Sequence, residues 1–141
     1  MSLIDAVIAH LKTSVPSLKK VSGAVDFASA GTDLKNSTPA AYVLPLADKA
    51  GQNELCNAVS QRVDVRFGVV LAVQNLRDAR GQNAHSDLEP IRRAVIDALL
   101  GWNPDADHAP VLYGGGRLLQ LADGVLWWQL EFVTVYYERK I

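Results

Sequence analysis

Asp105, Asp107 and His108 form the one local grouping of metal-ligating side chains in this 141-residue sequence. Two carboxylates and an imidazole suit a divalent cation. A closed site, however, needs a further pair of ligands at helical or finger spacing, and none follows. Pro104 and Pro110 flank the group, so its short polar side chains read as turn formers and no metal is expected. Gly114-Gly115-Gly116 invites a phosphate-loop reading. Such a loop must open a helix whose first N–H groups face the anion, but here an apolar strand-like stretch follows. The triplet therefore reads as a flexible turn, with no cofactor. Cys56 is the single cysteine, and no neighbouring residue suggests an activated thiolate. His10 lies on a helix, while His85 and His108 lie in loops. No nucleophile elbow or other local catalytic signature is present, so no catalytic residue is assigned.

The formal net charge is -1, which argues against general DNA binding, since nonspecific affinity comes from cations that displace phosphate counterions. Arg62, Arg66, Arg77, Arg80, Arg92 and Arg93 interleave with Asp64, Asp78, Asp87 and Glu89. That pattern suits a solvated face with ordinary ion pairs. Alternatively, the polar stretch from Arg77 to Ser86 is offered to a partner or a channel. One cysteine allows no intrachain disulfide. No signal-peptide pattern and no membrane-spanning apolar run are visible, so a soluble, cytoplasmically made chain is expected.

The elements that position these residues follow from periodicity. Leu3, Ile4, Val7, Ile8 and Leu11 make one helical stripe, with Ser2 as N-cap and Val15-Pro16 as the stop. Residues 17–38 stay open between strand and short helix. Residues 40–46 read as a short strand, with Pro45 at an edge or end, and 47–59 as a mobile connection. Arg62 to Gln74 alternates strictly and reads as a strand. A second helix spans about 87–100, with Pro90 in its first turn and Gly101 as its left-handed stop. Trp102 reads as a lid over the base of the core. A strand from Arg117 to Leu121, a turn at Asp123-Gly124 and a final strand complete the chain. The order lacks recurring βαβ alternation. One α+β domain over 1–141 is expected: a mostly antiparallel sheet with two main helices packed on one face.

The final strand poses a packing problem. Leu126, Trp128, Leu130 and Phe132 share one face, but Trp127, Val133, Val135 and Tyr137 share the other. Leaving the second set in water forgoes several kcal/mol, at about 1.5–3 kcal/mol per large apolar side chain. Either helices cover both faces or a second copy covers one. With two helices legible, a subunit contact at Trp127, Val133, Val135 and Tyr137 is the expectation.

The stretches LLGWNP (99–104), LYGGGRLLQLADGVLWWQLEFVTVYY (112–137), AAYVLPLADKAGQN (40–53) and VVLAVQNLRDARG (69–81) resemble tail terminator proteins of bacteriophages with long, noncontractile tails and of related prophages. The first 38 residues match only in style. The resemblance implies a virion structural protein, not an enzyme, located at the head-proximal end of the tail. It further implies a homo-oligomer, a six-subunit ring seated on the tail tube protein, which stops tube polymerisation and offers a surface to the head connector protein. DNA would pass through the hole without sequence-specific binding, and no membrane is involved. The second face of the last strand, or its flank, would meet the neighbouring subunit. The loop carrying Arg77, Asp78, Arg80, Gln82 and Asn83 would reach the tube or the lumen. The alternatives are a head-closure or minor tail protein, and a small cytoplasmic α+β ligand-binding domain or enzyme.

Overall fold

A computed structural model describes residues 2–29, 38–74, 84–122 and 124–141, with backbone only at 84–86. The chain runs α1 (Leu3–Ser14), β1 (Lys20–Ser22), α2 (Ala24–Ala28), β2 (Ala40–Asn53), β3 (Val59–Gln74), α3 (Ala84–Leu99), β4 (Leu112–Ala122) and β5 (Val125–Lys140). The strands form one sheet in the order β1-β2-β3-β5-β4. Among the described residues only the short β1–β2 pairing is parallel; the others are antiparallel.

Alternation sorts the sheet into two faces. Ala41, Val43, Phe67, Val69, Leu71, Val73, Leu126, Leu130 and Phe132 point to the first face, where Val7 and Leu11 of α1 and Leu88, Val95 and Leu99 of α3 bury them. Ser2 caps α1 as expected, its Oγ accepting from the Asp5 N–H at 3.1 Å. Gly101 takes φ 78° and ends α3. Beyond α3 the segment 102–111 continues the cover. Ala109 donates from its N–H to the Val135 carbonyl and accepts from Thr134 Oγ1, and the His108 ring lies 5.4 Å from that of Tyr136.

The expected α+β architecture is present, with α1 and α3 on one face, and three expectations about its parts need correction. The segment left open between strand and short helix contains both, β1 and then α2 on the second face, where Phe27 packs against Tyr42 and Trp127. At five residues α2 is too short for a helical stripe to be legible. Residues 47–53 are not a mobile connection but the outer half of β2, paired to β3 through two bulges. The bulges absorb extra residues and so break the alternation that marks a strand. The tip is held by Asn53, whose side chain donates to the Leu55 and Ala58 carbonyls and accepts from the Leu55 and Ser60 N–H groups. α3 starts one turn earlier than expected, which moves Pro90 beyond the first turn. β4 is longer than the segment from Arg117 to Leu121 and takes in the glycine triplet. Trp102 packs against the core, as expected of a lid, and also stacks on His10 at 4.2 Å.

Candidate assembly surface

Among the described residues, the second face of the sheet is covered at one end only. Ala40, Tyr42, Val70, Ala72 and Val125 are buried there beneath Phe27, Leu44 and the half-buried Trp127. Burial raises the Tyr42 hydroxyl above its usual pKa, and the nearby Asp26 charge adds to the shift. Further along, the cross-strand rows become polar: Arg66 faces Val133, Asp64 faces Val135, Arg62 faces Tyr137 and Arg117 faces Gln129. Arg66 reaches Glu131 at 3.4 Å, and Arg62 Nε donates to Asp64 at 2.9 Å. The Asp64 carboxylate holds the Arg62 guanidinium above its usual pKa. Leu46, the glycine triplet, Arg117, Gln129 and Glu131 line an open depression of about 520 Å³ on this face.

The four residues expected to contact a subunit are thus split. Trp127 lies among its own chain's aromatic rings, 5.9 Å from Phe27 and 6.2 Å from Tyr42. Val133 and Val135 are half-buried between charged rows, and Tyr137 is exposed beneath the Arg139 guanidinium, 4.7 Å away. The loop residues Arg77, Asp78, Arg80, Gln82 and Asn83 lie outside the described residues.

The flanks of the sheet are a further surface, one that periodicity does not mark. β4 is an edge strand, with Leu112 61%, Leu118 52%, Leu119 38% and Leu121 44% exposed. At the opposite flank β1 covers only Ala40, Ala41 and Tyr42, which among the described residues leaves 46–53 of β2 as a second free edge. The signal for β4 was available: Arg117 is its only charged residue, whereas edges that stay in water usually carry charges or prolines.

The suspected chemical groups resolve into structure. Asp105 Oδ1 accepts from the Asp107 and His108 N–H groups and lies 2.8 Å from His108 Nδ1, which closes a turn. Among the described residues no group of three ligating side chains could hold a metal. The glycine triplet is a bulged strand segment, not a flexible turn. Gly115 has φ +127°, and a Cβ on Gly116 would stand 2.7 Å from Trp128 Nε1. Cys56 is exposed near the β2–β3 tip. Among the described residues no helix is long and apolar enough to cross a membrane.

A sheet whose described residues cover one face and leave the other half-open and polar, with two bare edges, suits a protein whose work is assembly. A family model for phage tail terminator proteins matches residues 2–141, and the chain belongs to that family. It is therefore a structural component of a phage-type tail and not an enzyme. Among solved structures, a chain from the virion of a native gene transfer agent particle is similar in fold, with a TM-score of 0.51 at 12% identity. The match covers 94% of this chain and 84% of that one. Among curated proteins, none matches.

Proposed function

We propose that the protein forms a closed ring on the last ring of the tail tube, stops tube growth there and presents the joining surface for the head connector. The observation that supports this reading most is the pair of sheet edges, bare among the described residues, on opposite flanks of the sheet. Unlike surfaces on two flanks generate a heterologous contact, and such a contact closes into a ring when its rotation divides the circle. Six copies, the tube protein and the connector are the partners the family resemblance suggests. Capping needs no nucleophile. One ring surface complements the tube end, and the opposite surface no longer matches an incoming tube subunit. The stretch with Arg77, Asp78, Arg80, Gln82 and Asn83 is the proposed contact to the tube or the lumen. DNA would pass the hole without base-specific contacts.

The test is growth of tail tubes from purified tube protein, followed by electron microscopy. Adding this protein in amounts small relative to tube subunits should arrest elongation, leaving ring-shaped density at one end. Unchanged tube lengths with no end density would overturn the reading.

A further inference from the structure

The geometry points to edge-to-edge joining of the copies: β4 of one protomer pairs antiparallel with residues 47–50 of β2 in the next, so that the sheets close into one barrel with α1 and α3 outside. This rests on the ring reading above and names the surface that makes the ring.

Strand direction comes first. β2, β3, β5 and β4 alternate in direction across the sheet. A neighbour rotated about an axis running broadly along the strands keeps those directions, so its β2 meets β4 antiparallel. Each free edge holds a bulge-free run of four residues, 115–118 on β4 and 47–50 on β2. Face continuity then fixes the register. Arg117 points to the second face with Gln129, and Ala47 points there with Arg66. Placing Arg117 opposite Ala47 keeps both faces continuous, whereas opposing it to Lys49 would set like charges together. The same register carries Ala122, the end of β4, to the level of Tyr42, where β1 begins to cover β2.

The offset between the edges suits closure. Arg117 is level with Gln129, Val70 and Tyr42 in its own sheet. Pairing it with Ala47 shifts the next copy by four positions of β3, from Val70 to Arg66. At ~3.4 Å per residue this is ~14 Å, against ~19 Å for the four strand spacings from one β2 to the next. The resulting tilt is about 35°, within the range in which barrels close.

The hand also agrees. β1–α2–β2 and β3–α3–β4 are parallel crossovers on opposite faces, and right-handed connections at both give the sheet one and the same hand. In that hand the offset slopes as barrels require only with α1 and α3 outward. The second face then lines the hole, with Lys49, Arg62, Asp64, Arg66, Arg117, Glu131 and Arg139 among its charged residues. With six copies the hole would measure roughly 45 Å between backbones. Val133, Val135 and Tyr137 become lining residues rather than contacts.

The test uses one thiol on each edge. In a Cys56→Ser background, Ala47→Cys and Arg117→Cys are combined in one chain and mildly oxidised. Covalent multimers rising to the ring mass on a denaturing gel are expected, while either cysteine alone gives none. Ring-sized particles in light scattering that yield no cross-link here or with Lys49→Cys in place of Ala47→Cys would overturn edge pairing and leave the ring standing. A monomer both alone and with assembled tail tubes would remove the ring, and edge pairing with it. Should the double-cysteine chains fail to fold by circular dichroism, Leu118→Glu on the exposed edge takes their place. A folded protein with its ring fraction reduced at least tenfold is expected, and an unchanged ring would overturn the inference.

Discussion

Gly116 shows how one missing side chain lets an edge strand lie down. Its α-carbon sits over the indole of Trp128 and the hydroxyl of Tyr113, and an added Cβ would come within 2.7 Å and 2.9 Å of them. Gly116→Ala must displace one ring or lift β4, which should cost about 1–3 kcal/mol. Urea denaturation checks it, and a cost near zero would mean that β4 rides loosely. Trp128 Nε1 is buried there with no acceptor among the described residues, so this corner holds an unsatisfied donor. Asp105 carries the clearest pH dependence. The His108 side chain, and then backbone donors, lower its pKa below the ordinary 3.8. A depressed carboxylate stabilises the fold above its ordinary pKa, and that contribution disappears as pH falls through the folded value. The window therefore lies at and below 3.8, and the gain is modest because the side chain is about half exposed. Asp105→Asn should lower the melting temperature at pH 6, and the gap from the native chain should shrink towards pH 3. A gap independent of pH would show that the turn works without the charge.

At the scale of elements, α1 and α3 are tied by a contact that no periodicity announces. His10 Nε2 donates to the Ala98 carbonyl at 2.8 Å, while its ring stacks on Trp102 with planes 5° apart. His10→Ala should cost about 1–2 kcal/mol, and hydrogen exchange should quicken first in α1. Uniform quickening across the sheet would mean that α1 is not a separable unit. The histidine was visible in the sequence, but its partner stands 88 positions away, so only the fold brings them together. The same distinction explains which elements were legible. α1, β3 and α3 show regular spacing over a dozen or more residues, so their buried faces follow from period alone. The outer half of β2 and the glycine triplet carry bulges, and one extra residue there inverts the pattern on either side. The pairing Val133, Val135, Tyr137 on one face of β5 was legible. That Trp127 would be covered by α2 was not, because a five-residue helix leaves no amphipathic repeat to read.

For the molecule as a whole, the decisive asymmetry is between faces and edges. Trp127 and Val133 share a face of β5 but belong to different environments, one beneath α2 and the other beside Arg66. Trp127→Ala removes a ring that packs against Phe27 and Tyr42 and should cost about 2–3 kcal/mol of stability. If assembly runs through the edges, ring mass should be unchanged while the domain stays folded. Val133→Asp places a carboxylate opposite Arg66, on a row that already holds charges, and should change stability by no more than about 1 kcal/mol. Its ring should also persist. The two variants, measured by light scattering beside thermal melts, thus separate a face contact from an edge contact. Dissociation of the ring by Val133→Asp, with the fold retained, would return the interface to the open face and leave the bare edges of β4 and β2 without an occupant.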